Sequence, residues 1–254
     1  MNKATILKIG GSVLTDKSKE KTLKSKEMGR IAKEIASAGV RDLVMVHGAG
    51  SFGHPQAKRF GLDVPGKCSY ETVVTHETVK ELNRAFIEKL VENGMLAMPV
   101  HPLSCTISRE GRVENMMTDQ IRLMLKNGIV PVVHGDVVMD RGWERAILSG
   151  DQIVVHLARC LNAKMVGIGT DVDGIMDDYE VISIITPKTF GDVKRLLGGS
   201  RDIDVTGGMS SKVNELVKLA EDGIPSHIFN ASRKGLIVDF LRGERNFGTI
   251  IRGD

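Results

Sequence analysis

The chain of 254 residues is 41% hydrophobic and 26% charged, and 35 Lys and Arg against 32 Asp and Glu leave a formal charge of +3. That make-up belongs to globular proteins and excludes disordered, collagen-like and disulfide-stapled chains. With only 4% aromatic residues and no run of five or six like charges, a stacking or electrostatic surface for nucleic acid is set aside.

In chain order, a first strand over Thr5–Ile9 runs into the turn Lys8-Ile9-Gly10-Gly11-Ser12. A second, Asp42–His47, runs into His47-Gly48-Ala49-Gly50-Ser51-Phe52-Gly53-His54, and Tyr70–Leu82 then has helical spacing. Leu96–Val100 and Ile129–His134 are further strands. Thr106–Val113 and Val137–Leu148, with Gly and charged residues at turn-like positions, are predicted as β-hairpins. A helix over Asp151–Leu161 places Ile153, Val154, Leu157, Ala158 and Leu161 on one face. The strand Lys164–Ile168 leads to Thr170-Asp171-Val172-Asp173-Gly174. Thr206-Gly207-Gly208-Met209 opens the clearest amphipathic helix, Met209–Glu221, with Met209, Val213, Leu216, Val217 and Ala220 in one stripe, and Ser226–Phe229 is the last predicted strand.

Short β-branched apolar runs alternating with helical stretches predict an α/β fold, a mostly parallel sheet covered by helices. Residues 1–254 are expected to form one domain, with a division into two lobes near residue 160. Apolar runs such as Leu43–Val46 and Ile129–Val133 are too short to cross a bilayer, so no membrane partner is expected. Cys68, Cys105 and Cys160 are odd in number and widely spaced, which fits a reducing, cytoplasmic setting.

Open α/β sheets bind ligands beyond the carboxyl ends of their strands, where this chain puts its glycine turns. Gly48, Gly50 and Gly53 satisfy G-x-G-x-x-G, and Glu71 lies near the distance of a ribose-binding acid. However, Glu71 falls in a helical stretch and the motif is not in the first strand-to-helix unit, which disfavours a dinucleotide site. A conventional P-loop is excluded because His54 stands where Lys is required. The turns share backbone amides that oxyanions can approach, and a helix opening after Gly207-Gly208 adds its positive end. Lys8, at the end of an apolar strand before two glycines, Lys17 and Lys212 supply charge for a triphosphate beside a second anionic substrate, which is the arrangement of phosphoryl transfer. His54, inside a glycine turn, is a functional candidate, whereas His47 and His134 at strand ends are expected to be structural. Asp151 is either a helix N-cap or a charge partner, and Asp136 either caps or lines an acceptor pocket.

Lys-x-Gly-Gly-Ser, the Gly-x-Gly turn, Thr-Asp-Val-Asp-Gly and Thr-Gly-Gly-Met, in this order, resemble the amino acid kinase family over nearly the whole chain. Within it, Gly50-Ser51-Phe52-Gly53-His54 is similar to the branch that phosphorylates isopentenyl phosphate. The resemblance implies a three-layer αβα sandwich with a mainly parallel central sheet, an acceptor lobe over about 1–160, an ATP lobe over about 161–254, and a homodimer. It implies the reaction of ATP, with Mg²⁺, and isopentenyl phosphate to give ADP and isopentenyl diphosphate, at the end of a mevalonate-type route. Lys8, Lys17, His54, Asp151 and Lys212 are then the catalytic set, with Asp151 orienting the lysines. Gly10, Gly11, Ser12, Gly50, Thr170, Asp171, Gly174 and Gly207 join Lys8 and Lys212 around the nucleotide. Ala49, Gly53, Gly135 and Gly150 join His54 at the acceptor phosphate. No residue is expected as a direct metal ligand, since Mg²⁺ keeps waters and phosphate oxygens as its main shell. For the prenyl tail, Val73, Phe86, Met139 and Ile147 are the candidates, and Phe86→Ala is expected to admit longer chains. Fosfomycin kinase shares the histidine, so another small phosphate or phosphonate acceptor stays open, as does a non-catalytic ligand-sensing module.

Overall fold

Each predicted apolar run becomes a strand of one eight-stranded sheet in the computed structural model, which describes residues 3–178, 180–198 and 208–254. The elements are β1 (Thr5–Ile9), α1 (Gly11–Leu14), α2 (Ser25–Ser37), β2 (Leu43–His47), α3 (His54–Arg59), α4 (Tyr70–Glu92), β3 (Ala97–Val100) and α5 (Pro102–Cys105). Next come β4 (Thr106–Arg109), β5 (Arg112–Met116), α6 (Asp119–Lys126), β6 (Val130–His134), β7 (Asp136–Asp140), β8 (Glu144–Leu148) and α7 (Gly150–Leu161). The remainder are β9 (Met165–Thr170), β10 (Met176–Asp177), β11 (Glu180–Val181), β12 (Ile184–Ile185), α8 (Phe190–Gly198), α9 (Gly208–Glu221), β13 (Ser226–Asn230), α10 (Leu236–Arg242) and β14 (Thr249–Ile251).

The strand order is β12-β14-β13-β9-β1-β2-β6-β3. The six strands from β13 to β3 are mutually parallel, and β14 runs antiparallel to β13. Strand alternation sends successive side chains to opposite faces. Ile6, Val44 and Val46 enter a core with Ile153, Val154 and Leu157 of α7 and Val213 of α9. Leu7, Ile9 and Met45 enter a second core with Met28 and Ile31 of α2 and Phe86 of α4. Two cores on two faces make the three-layer αβα sandwich. The stripes predicted on α7 and α9 are buried, except that the Met209 side chain lies outside the described ones.

Three differences from the sequence have physical causes. Leu96–Val100 has the pattern of a strand buried on both faces, yet β3 pairs only with β6 and Met98 is exposed, because it is the sheet's edge. The helix begun at Tyr70 continues past Leu82 to Glu92 and stops where Gly94 takes φ +83°. The two predicted hairpins are not separate excursions: β4 pairs with β7, joining them as one sheet β5-β4-β7-β8. Glu110 (φ +49°) and Gly111 (φ +75°) make a two-residue turn with both φ positive. Asp140 accepts from the amides of Glu110, Gly111, Gly142 and Trp143 and from Ser108 Oγ, tying both hairpin tips to one carboxylate.

Candidate active site

Strand order reverses at β1: later strands are added beyond β2 on one side, and β9 and β13 on the other. Such a switch point opens a crevice at the strands' carboxyl ends. The turns leaving those ends are hooked to one another. Gly10 N donates to Gly169 O (2.8 Å), Gly48 N to Ile9 O (3.1 Å), Gly135 N to His47 O (2.9 Å) and Ala231 N to Thr170 O (2.8 Å).

Packing accounts for much of the glycine in these turns. A Cβ on Gly11 would lie 2.3 Å from Gly50 N, and one on Gly48 would lie 2.9 Å from Gly11 N, so the first two turns pack backbone on backbone. Gly50, at φ +52°, has no room beside Thr15 Oγ1, Gly53 presses on Ala49 Cβ, and Gly174 on Val181 and Thr249. Gly135 is different in kind. A Cβ there would stand 3.3 Å from Gly150 N, 3.4 Å from Leu148 O and 3.7 Å from Ala49 N. Its missing side chain therefore leaves a small space bordered by two backbone amides and the Leu148 carbonyl. Gly150 also begins the twelve-residue α7, whose first amides have no intrahelical acceptor and whose end is positive.

Lys8 falls on the same face of β1 as Ile6, so its stem is carried into the core while its ammonium emerges at the crevice. It is 6% exposed, Gly150 admits its Cε, and Nζ meets Asp151 Oδ1 at 2.6 Å. Burial pushes the Lys8 ammonium below its ordinary range and Lys212 adds to this, against the attraction of Asp151. Burial pushes Asp151 up, but the charges of Lys8 and Lys212, the hydrogen bond from Lys8 and the field of His54 hold it below the usual carboxylate value. Lys8, Asp151, Lys212 and His54 thus share one electrostatic neighbourhood. Asp151 is not the N-cap of α7: Ser149 takes that place, its side chain accepting from Gln152 N at 3.2 Å. His54 is exposed as the first residue of α3.

Across the crevice, Lys17 Nζ lies 3.4 Å from Asp171 Oδ2, both exposed. Burial raises Asp171, but Lys17 and a hydrogen bond with Ser12 bring it down. Thr170 Oγ1 accepts from Val172 N (3.2 Å) and is 2.9 Å from Val172 O, so its hydroxyl fixes the turn it begins. Asp173 holds Asn230 and Arg233. Gly207 lies outside the described residues.

The tail candidates do not come together as one wall. Val73 and Met139 are exposed, and Ile147 lines a cavity of about 270 Å³ with Leu62, Val64, Trp143 and Gln152. Phe86 is fully enclosed, edge-on to the His47 ring at 6.0 Å between centroids, so it belongs to the core beneath the site. Asp136 is a buried clamp, accepting from His76 Nδ1 (2.8 Å), Leu103 N (3.2 Å) and Val137 N (2.9 Å). His76, Asn83 and His101 had no signal in the sequence, since single polar residues within or beside helices read as surface. His47 and His134 are fully buried, and burial pushes His47 down to about 4 and His134 well below the ordinary value. Among the described residues no group of three or more His, Cys, Asp or Glu could hold a metal ion. No helix among them is long and apolar enough to cross a membrane.

The sequence model of the amino acid kinase family matches residues 3–230. The chain is 38% identical to an isopentenyl phosphate kinase of Methanothermobacter thermautotrophicus and 40% identical to one of Haloferax volcanii, each over 98% of both chains. A solved structure of an isopentenyl phosphate kinase superposes with a TM-score of 0.85 at 34% identity, covering 98% of this chain and all of that one.

Proposed function

The chain belongs to the amino acid kinase family, and on that premise we propose that it transfers the γ-phosphoryl group of ATP to isopentenyl phosphate, giving ADP and isopentenyl diphosphate. The observation that carries this reading is the convergence of the Lys8–Asp151 pair, Lys212 and His54 on the crevice where the Ala49 and Gly150 amides surround Gly135. Two polyanions must be brought together there, and the acceptor's second pKa near 6 means its attacking oxygen is already ionised at neutral pH. No general base is then needed, and catalysis is positioning and neutralisation of charge.

In this reading the Ala49 and Gly150 amides and His54 hold the acceptor phosphate. Lys8 and Lys212 bracket the β- and γ-phosphates, with Asp151 keeping their ammonium groups turned inward. Lys17, from the far wall, meets charge developing on the transferring group. Mg²⁺ brought with the nucleotide would supply charge neutralisation, and Asp151 and Asp171, each engaged by a lysine, are the carboxylates that would face it. We assign the acceptor to a lobe over about 1–160 and ATP to one over about 161–254, on either side of the β1/β9 switch point. Of the tail candidates, Ile147, in the cavity with Leu62, Val64 and Trp143, is the one that would meet a prenyl chain. A homodimer would cover Leu96 and Met98, exposed at the free edge beside β3, and the three unpaired cysteines suit a cytoplasmic setting.

The test is an ADP-release assay with Mg-ATP, offering isopentenyl phosphate, dimethylallyl phosphate, fosfomycin, amino acids and nucleoside monophosphates in parallel. Preference for isopentenyl phosphate is expected. Turnover of fosfomycin alone would overturn the acceptor and leave the ATP site, and silence across the panel would overturn the kinase reading.

A further inference from the structure

His47 and His134 close neighbouring parallel strands at paired register positions, β2 against β6, and their rings stack 5.7 Å apart. Both are completely buried, and neither touches the phosphates in the transfer proposed above. Each makes the same unusual bond: its Nδ1 lies 3.0 Å from the carbonyl oxygen of the next residue, Gly48 for His47 and Gly135 for His134. The other nitrogen of each ring is occupied in a way that fixes the tautomer. Asn83 Nδ2 sits 3.0 Å from His47 Nε2 and 3.4 Å from Val132 O. An amide NH₂ can only donate, so His47 Nε2 accepts and the neutral ring carries its proton on Nδ1. For His134 the Gly135 carbonyl, which can only accept, puts the proton on Nδ1, and Nε2 then accepts from His101 Nδ1–H at 2.8 Å.

A trans peptide is planar, with its C=O and N–H on opposite sides. Pinning the Gly48 carbonyl therefore fixes the direction of the Ala49 N–H, and pinning the Gly135 carbonyl fixes the Gly135–Asp136 peptide, at the glycine beside which the Ala49 and Gly150 amides and the Leu148 carbonyl lie. We propose that His47 and His134 are positioning residues for the acceptor phosphate: their Nδ1–H groups hold the two strand-end peptides so that the amide cradle is formed before substrate arrives. Asn83 and His101 act one step further back by setting the tautomers. The inference rests on the acceptor site assigned above, and it makes these two histidines part of the reaction's geometry without contact to any reacting atom.

The test uses the full chain and whichever phosphate acceptor the unmodified protein turns over. His47→Phe keeps the ring volume and loses the donor, whereas His47→Asn places an amide Nδ2 where Nδ1 stood but leaves a void. Since deleting one preorganised donor costs roughly a hundredfold or more, and here a donor is only loosened, His47→Phe is expected to raise the acceptor KM about tenfold with the ATP KM within about twofold. His47→Asn is expected to recover most of the acceptor KM although it is the less stable variant. An unchanged acceptor KM in His47→Phe, or an acceptor KM that follows melting temperature across both variants, overturns the proposal. Nitrogen-15 NMR of labelled histidines tests it without turnover: Nδ1–H tautomers are expected for His47 and His134, and Nε2–H tautomers overturn it. If the unmodified chain uses no acceptor, the kinase reading fails and this proposal with it, whereas Nε2–H tautomers in a chain that does turn over an acceptor overturn this proposal alone.

Discussion

Lowering the pH from about 7 to about 5 should weaken this fold before any carboxylate network yields. His47 and His227 are both fully buried, and desolvation pushes each down to about 4. An unfolded histidine takes up a proton near pH 6.5. Below that pH the unfolded chain binds a proton that the folded chain refuses, so the stability these groups lend is intact above about 6.5 and is lost as pH falls toward about 4. At about pH 5 the loss is about 2 kcal/mol for each, or about 4 kcal/mol for the two, against a total of about 5–15 kcal/mol for a typical domain. His134, His101 and His156, all lowered first of all by burial, act in the same direction. The carboxylates held below their ordinary values, Asp140, Asp151 and Asp171 and the exposed Asp16, Glu71, Glu77 and Glu114, lose most of their contribution below this window, so the histidines account for most of the change within it. Urea unfolding followed by circular dichroism reads the effect: with a slope of about 2–3 kcal/mol per molar, the midpoint should fall by more than about 1 M. His227 packs among Phe229, Phe240 and Phe247 with its Nδ1 unpartnered, so His227→Phe should remove a large part of the shift. Equal midpoints at the two pH values would refute the reasoning.

Lys8→Met should depress phosphoryl transfer by roughly a hundredfold or more through loss of a preorganised cation, with a small melting shift because Asp151 retains Lys212 nearby; a large melting shift with specific activity intact would make Lys8 structural. His54→Ala should raise the acceptor KM far more than the ATP KM, and equal changes in both would remove it from the acceptor phosphate. Gly135→Ala puts a methyl 3.3 Å from Gly150 N and 3.4 Å from Leu148 O and should raise the acceptor KM by about tenfold or more with a modest fall in melting temperature, an outcome checked by steady-state kinetics beside a thermal scan. Phe86→Ala, contrary to the expectation of a longer tail, should open a void in the core and cost about 3–5 kcal/mol; a stable variant with broadened chain-length selectivity would return Phe86 to the tail pocket.

Apolar periodicity placed the six parallel strands within a residue or two of their ends, because strands buried on both faces leave little freedom in which residues they contain. It had less hold at the margins. β3 keeps an apolar run although it lies at an edge, with Leu96 and Met98 exposed, and β12 and β14 have two and three residues, too few to show any period. The α2 stripe of Met28, Ile31, Ala32 and Ile35 does have helical spacing and could have been found. Of the site, Lys8 and the glycine turns stand out because a charge and a run of small residues interrupt apolar strands. What those glycines do was not legible: Gly11 and Gly48 serve the packing of one turn on another, while Gly135, with no motif around it, leaves the space between two amides. The imidazole network was hidden for a different reason. His47, Asn83, His101 and His134 come from four separate segments, and only the folded sheet sets them side by side.

Because Lys8 shares a face with Ile6 and opposes Leu7 and Ile9, its reach to Asp151 is a property of how β1 is registered against β2 and β9. Inserting or deleting one residue between Thr5 and Lys8 would turn the ammonium into the oily side occupied by Phe86 and Phe229 and offer an isoleucine or leucine to the phosphates. Length changes in the loop around Gly39, where nothing crowds the chain, carry no such consequence. An engineer recombining segments of related chains could therefore cut freely before β2, but would have to carry β1 and its first turn as an indivisible cassette, since a single frame of the strand decides whether the protein has a reaction centre at all.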